Sequence, residues 1–427
     1  MKKTTRPMPY KRVLESVLLL YAAALAARAM RLYVRWLSDD LFQFSQYLVN
    51  YSGGYVRRGM PGELIWQACA HGVSSPRLCL LLFTAVAFIS VTVFFIILFR
   101  RRALCWYVLP LPVFLGAQFS LTSKDSLMMA LFIAMTLLWR KGLHKAWRCL
   151  LFTLLWVFAI NCHEGFGFFS IPLFLLLLLN DRQLSLPYKI LPPATAVLAM
   201  LMTVLCHGDS AIAATIRQSW RDIAPTQFGT DTTCGISSLG WSLEFAASQH
   251  LSINFLTRSW GLYGWMVRPL EYLAIYYVLS QTIFVFSNRH NCLNANDKSN
   301  LSTLLLLQFC ALLPMFTVLS CDHGRITLYW SLTSYAVFLL CPRPALSGLL
   351  PRWARREADK LNQFMEGLIK PTPSTMSLFL LFVGIRHIGF SVPCELLSSV
   401  IGYTLYFCYF IICHLLGWPQ LIDINLL

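Results

Sequence analysis

Between two apolar segments, residues 38–64 read SDDLFQFSQYLVNYSGGYVRRGMPGEL. Paired acids Asp39 and Asp40, a Gly53-Gly54 turn and paired arginines Arg57 and Arg58 fall in this short polar stretch, and each flanking run approaches the roughly 20 residues that cross a bilayer. The stretch is therefore expected at a membrane surface. Behind the acids, Leu41, Phe44, Leu48 and Tyr51 recur at helical spacing with Gln43, Gln46 and Asn50 opposite, which predicts a helix lying in the interface. Ser52-Gly53-Gly54 ends it. Pro61 then opens a second amphipathic piece, Gly62 to Ala70, with Trp66 as an interfacial aromatic.

The whole chain has the composition of a membrane protein. Of 427 residues 57% are apolar and only 13% charged, too few polar groups to cover a soluble enzyme of this size. Apolar runs fall at 13–36, 78–99, 103–121, 127–139, 149–160, 166–179, 190–206, 267–286, 301–319, 326–340, 376–392 and 396–416. They predict an all-α, polytopic transmembrane helical bundle of roughly twelve spans, with about 10 and 13 as bounds. Two juxtamembrane helices are expected in its first outward loop. The formal charge of +16 raises nucleic acid as a partner, but the basic residues cluster between apolar runs, as cytoplasmic loops do, so nucleic acid is set aside. The 14 cysteines lie mostly inside apolar segments without CxxC spacing, so neither a disulfide frame nor a zinc site is expected. The basic start MKKTTRPMPYKR leads into a run with Arg28, Arg31 and Arg35, which reads as a retained helix, not a removed signal. Those three arginines share one helix face and are best explained by snorkelling to the interface.

With both termini in the cytoplasm, the loops at 100–102, 140–141, 182–189, 289–298 and 343–370 place their lysines and arginines inward. The motifs of chemical interest then share the outward side: the 38–64 loop, Ser123-Lys124-Asp125, His163-Glu164-Gly165, the loop 207–266, and Asp322-His323-Gly324-Arg325. The chain divides into a core of residues 1–266, with outward loops 37–77 and 207–266, and a C-terminal transmembrane bundle of residues 267–427. The latter contains a basic cytoplasmic loop, 342–375, whose Leu361, Phe364, Met365 and Leu368 suit a helix resting on an anionic leaflet as well as a solvated linker.

Each motif also has a plainer account. Asp39 and Asp40 suit a general base and an orienting ligand, although Asp40-Leu41-Phe42-Gln43 has capping-box spacing. Arg57 and Arg58 stand on the side where basic residues are disfavoured, so a bound anion would explain them; the alternative is an ion pair with Glu63 or Asp39. Lys124, at the positive end of a helix, needs an acid or a phosphate, whereas Asp125 beside it reads as an ordinary helix start. His163 and Glu164, and then Asp322, His323 and Arg325, join very apolar spans, where ionisable groups mark sites by default.

On these residues the chain resembles the C-type (GT-C) membrane glycosyltransferases, which place an acidic residue and two juxtamembrane helices in the first outward loop. GGYVRRG, SKDS, HEGFGFF and DHGR are similar to phrases in bacterial inner-membrane proteins of surface-polysaccharide assembly, a class that includes O-antigen polymerases. The resemblance implies transfer of a sugar from a polyprenyl-phosphate or polyprenyl-diphosphate donor to a glycan or lipid-linked acceptor at the outer face of a bacterial inner membrane. It carries over one role, Asp39 as catalytic acid residue with Asp40 beside it. Substrate and phosphate binding by Arg57, Arg58, Lys124, His163, Glu164, Asp322, His323 and Arg325 is our own inference from charge and placement. A divalent cation, Mg or Mn, between acid and phosphate is left open, as is a repeat-unit polymerase in place of a single-sugar transferase. From other classes, a lipid-linked glycan flippase or transporter would carry midplane charges and two related halves, and a membrane acyltransferase would use His163 as base.

Overall fold

The computed structural model describes residues 16, 45–72, 75–99, 124–140, 144–221, 223, 235–256, 263–286, 293–341, 343–383 and 400–417. Among the described residues every regular element is a helix. We number the α-helices α1 Gly59–Ala70, α2 Pro76–Phe99, α3 Asp125–Arg140, α4 Lys145–Cys162, α5 Gly165–Asn180, α6 Leu186–Leu205, α7 Ser210–Arg221 and α8 Leu243–Leu251. They continue as α9 Arg268–Val285, α10 Ala295–Pro314, α11 His323–Leu340, α12 Arg343–Leu349, α13 Arg352–Leu368, α14 Pro373–Val383 and α15 Val400–Leu416. The run predicted at 13–36, apart from Ser16, the run at 103–121, and the acids Asp39 and Asp40 lie outside the described residues.

Among the described residues three helical stretches are long and apolar enough to cross a membrane: Lys145–Cys162, Leu186–Leu205 and Ala295–Leu319. Their outward faces carry Leu154, Leu198 and Leu205, each more than half exposed, as is Val86 on α2. Such a belt of bare aliphatic groups would be unstable in water and suits hydrocarbon. Inside it, one apolar core runs in sequence from Met128 to Leu380 and takes residues from both sides of position 266. Helix α11 is its axis, with almost every side chain from Ile326 to Leu340 buried. Pro172 lies inside α5, and the Gln308 amide of α10 donates to the Phe169 carbonyl, three residues before it, at 2.8 Å, tying the two helices together.

The two ends of the bundle differ. One end gathers basic groups: Lys298 pairs with Glu366 at 2.6 Å, Lys189 donates to the Leu179 carbonyl, and Arg355 donates to Asn300 and to the Ser347 carbonyl. There α13 docks on the bundle through Ala354, Ala358, Asn362 and Met365, with Asn362 donating to Ser302 at 2.7 Å. Its predicted apolar face is thereby split, since Met365 turns inward while Phe364 and Leu368 stay exposed. The other end carries the starts of α3, α5 and α11 and the ends of α4 and α6, and a folded cap covers part of it.

That cap is built from the described parts of the two loops expected to face outward. Tyr47, Leu48, Val49, Val56 and Ile65 of the first pack against Ala213, Ile216, Trp220, Ile236 and Leu239 of the second in a small core of their own. Trp220 donates to the Leu48 carbonyl at 2.7 Å, Asn50 to Ser219 at 2.9 Å, and Trp66 to the Ser219 carbonyl at 3.3 Å. The expected interfacial helix to Tyr51 is corrected here: within 45–51 only Ser45 and Gln46 are helical, and Gln46 and Asn50, predicted to face water, are buried. Residues 47–50 turn out of helix because α7 covers them and supplies partners for their backbone. The second piece does form, starting at Gly59, ahead of Pro61, and Trp66 is half-buried under the second loop.

Candidate functional site

The end of the bundle beside the cap holds most of the ionisable groups that the sequence marks. Arg58 sits just before α1 in a left-handed conformation, φ 64°, one that a residue bearing a Cβ adopts only when its surroundings compel it. Lys124 supplies part of that compulsion. It precedes α3, is fully buried, and donates from Nζ to the Arg58 carbonyl at 3.0 Å. Thus held, the Arg58 guanidinium reaches across to Glu164, donating from Nε to Oε2 at 2.8 Å and from Nη2 to Oε1. His163 and Glu164 form the turn between α4 and α5, and Gly165 donates its N–H to His163 Nδ1 at 3.0 Å. A backbone donor at Nδ1 leaves the proton of the neutral ring on Nε2.

Burial dominates the electrostatics of this corner. It pushes the Lys124 ammonium down to about 7, with Arg58 adding to the effect. It also pushes His163 down to about 3, again with Arg58 helping, so the imidazole is neutral near pH 7. Burial alone would raise the Glu164 carboxyl, but the charge and hydrogen bonds of Arg58, with Arg57 behind it, hold it well below the usual carboxylate range. Glu164 is ionised.

A second group of charges adjoins the first. The guanidinium of Arg325, in the first turn of α11, forks onto Asp125 with both bonds at 3.0 Å and also donates to Asp322 Oδ2 at 3.1 Å. Tyr329, one turn further along α11, donates to Asp125 as well. The plain helix-start account of Asp125 is therefore incomplete, because its side chain, only 1% exposed, ties α3 to α11. The two groups are close enough for Arg325 to act electrostatically on His163. Together they are polarised, with Arg57, Arg58 and Lys124 facing one carboxylate on one side and Arg325 facing two on the other.

Two marked residues take other roles. Arg57 donates to the carbonyls of His207 at 3.1 Å and Ser238 at 3.3 Å, and its own N–H goes to the Cys206 carbonyl. It lies 3.7 Å from Glu164 but is mainly a clip between the two outward loops. Glu63, weighed as a partner for the arginines, instead accepts from the Tyr51 N–H and from Gln67. His323 is turned inward, 1% exposed, between the Tyr272 hydroxyl and Asn254 Oδ1, and stacks on Phe316. It packs the bundle and does not line the site. Sequence reasoning passed over Asn161, whose amide oxygen accepts from the Tyr55 hydroxyl, and Tyr329. Asn161 at the end of an apolar helix, and Tyr329 four residues after Arg325 on the same helix face, are the signals that would have found them.

Among the described residues no three His, Cys, Asp or Glu side chains are grouped to hold a metal ion. Asp125 and Glu164 are taken by arginines and Asp322 keeps one oxygen open, while Asp39 and Asp40, beside which a divalent cation was left open, lie outside the described residues. Compared with family profiles, with curated proteins and with solved structures, the chain matches none. Fold and site define a protein whose described elements are all helical, with membrane-type helices and a polarised charge cluster at one end.

Proposed function

We propose that the chain is a polytopic membrane glycosyltransferase of roughly twelve spans, with both termini in the cytoplasm of a bacterial cell and its charge cluster at the outer face of the inner membrane. The donor is a sugar on polyprenyl phosphate or diphosphate, and the acceptor is a glycan or a lipid-linked glycan. The observation that carries this reading is the polarised cluster: Arg57 and Arg58 against Glu164 on one side, with Lys124 bonded to the Arg58 carbonyl, and two carboxylates sharing Arg325 on the other. An excess of positive charge at the rim suits a phosphate that must leave, and the acidic half suits a hydroxyl that must be held. In the step itself an acceptor oxygen bonds to the anomeric carbon, the bond from that carbon to the phosphate oxygen breaks, and the lipid phosphate departs with the electron pair. The hydroxyl proton passes to a carboxylate, which the family resemblance assigns to Asp39. Arg58 exchanges Glu164 for the leaving phosphate, and Arg57 and Lys124 hold it in place to do so.

Mass spectrometry of surface glycan from cells lacking the gene, complemented with wild type, Arg58→Ala, Arg58→Lys or Asp39→Asn, tests this. The deletion is expected to remove a sugar or a polymer. Asp39→Asn, inserted at normal levels, should fail to restore it, because general-base assistance is commonly worth about 10² to 10⁴-fold. Arg58→Ala should fail too, and Arg58→Lys should restore it partly, since lysine keeps the charge without the fork. Unchanged glycan in the deletion strain would remove the reading, and a missing acyl group would replace it with acyl transfer.

A further inference from the structure

Helix α13 meets the bundle with one face and leaves two edges bare. Ala354, Ala358, Asn362 and Met365 form the buried face. Arg352, Arg356 and Lys360 stand one turn apart on one exposed edge. On the neighbouring edge lie Trp353, then Phe364 about three turns on, then Leu368 one turn further, each more than half exposed. A shallow groove of about 320 Å³ runs along the basic edge, walled by Arg352, Arg355, Arg356, Asp359, Lys360 and Gln363. Its four cations outnumber its one acid. Arg355 is committed inward, to Asn300 and the Ser347 carbonyl. Arg356 and Lys360 share Glu357, at 3.1 and 3.0 Å, in pairs open to solvent. Exposed pairs contribute little, so these reopen readily to an incoming phosphate.

The depth of α13 decides what it faces. Arg355 and Asn362 bond to Asn300 and Ser302 of α10, on either side of Leu301, where the apolar run of α10 begins. That helix is one of those long and apolar enough to cross a membrane, so α13 lies at the level where a span enters hydrocarbon. The apolar helix α14 follows directly, from Pro373. A helix at this level with a bare aromatic edge beside a cationic one has the build of an interfacial helix. A solvated linker gives no reason for Trp353, Phe364 and Leu368 to stand bare on one line. We propose that the groove on α13 binds the phosphate of an anionic phospholipid, with Trp353, Phe364 and Leu368 seated in the same leaflet. Arg352, Arg356 and Lys360 hold the phosphate oxygens, and the apolar edge requires that phosphate to be carried by a lipid. The site lies at the basic end of the bundle, away from Arg58 and Glu164, and does not depend on the glycosyl-transfer reading.

Gly367 offers a reporter position on the same exposed face, since a Cβ there meets nothing within 4 Å. Gly367→Cys, in the full chain without its native cysteines, is labelled with bimane and titrated in a neutral maltoside detergent with dihexanoyl phosphatidylglycerol, dihexanoyl phosphatidylcholine or glycerol phosphate. Phosphatidylglycerol should shift the emission saturably to the blue at about a tenth of the phosphatidylcholine concentration, and glycerol phosphate should not shift it. Arg352→Gln should raise the half-saturating phosphatidylglycerol concentration about fivefold, the worth of one cation beside an anionic lipid. Arg352→Gln, Arg356→Gln and Lys360→Gln together should abolish the preference between the two lipids, whereas Trp353→Ser with Phe364→Ser should weaken both alike. Equal responses to the two lipids in the parent, no response to either, or a preference that survives loss of the three cations overturns the site. A shift by glycerol phosphate at the phosphatidylglycerol concentration overturns the lipid assignment and leaves a site for free phosphate esters.

Discussion

Lys124 and His163 are two groups at the site whose protonation the fold shifts strongly. Each has its folded value depressed by burial, from 10.5 to about 7 for the lysine and from 6.5 to about 3 for the histidine. Between its folded and unfolded values each binds more protons in the unfolded chain, so stability rises with pH through that window. For His163 the window is from about 3 up to 6.5, and for Lys124 it is from about 7 up to 10.5. Glu164 acts in the same direction at acid pH: its stabilisation is present above 4.5 and is lost as pH falls below that value. Melting of the detergent-solubilised protein should accordingly rise from pH 7 to 10, and Lys124→Met should flatten that rise. A wild-type profile that is flat or falling across the alkaline range would show that the ammonium is not buried as described. Arg58, Glu164 and Lys124 were each legible in the sequence as charges on an unfavourable side or at membrane depth. Their pairing was not. Arg58 and Glu164 are 106 residues apart, and no local pattern encodes which acid an arginine will meet.

Among the elements, the cap formed by the outward loops shows how helical spacing can mislead. Leu48 and Tyr51 fit an amphipathic stripe, yet the chain at Tyr47–Asn50 is buried from two sides and its backbone is bonded by Trp220 of α7, 172 residues away. Tertiary partners override periodicity when both faces of a segment are covered. By contrast, α1 and the apolar helices α3 to α6 were legible to within a few residues, because apolar runs bounded by polar turns leave little choice. The cap also depends on one close approach: a Cβ on Gly62 would overlap the Val49 carbonyl and crowd that of Tyr47, which are backbone atoms that cannot swing aside. Gly62→Ala should therefore cost about 1–3 kcal/mol as an overpacked core does, loosening α1 from residues 47–50. Limited proteolysis should then cut near Tyr47 to Tyr55 faster than in wild type. Gly54→Ala is a sharper control than it looks: nothing stands within 4 Å of the added carbon, but φ is 102°, so any effect there is backbone strain. Equal protease resistance in wild type and Gly62→Ala would show that the first loop is not seated on α1 as described.

Across the whole molecule the separation of charge is the property that links sequence, fold and proposed chemistry. The lysine and arginine pattern alone sorts the loops into two sets, and the structure brings Arg58, Lys124, Glu164, Asp125, Asp322 and Arg325, all from one set, into a single cluster. Members of the other set meet at the opposite end, where Lys298 pairs with Glu366. Ends of a bundle are not yet sides of a membrane, and only the positive-inside bias says which end is cytoplasmic. Ser210 begins α7 on the cap and Ala295 begins α10 at the basic end, and both are exposed. Single cysteines at these positions, in a background without the native cysteines, can be reacted in intact inside-in cells with a membrane-impermeant maleimide. Ser210→Cys should label directly, and Ala295→Cys only after permeabilisation. The reversed pattern would place the arginine–carboxylate cluster in the cytoplasm, where nucleotide-linked donors are at hand, and the proposal of a polyprenyl-linked donor would fall with it.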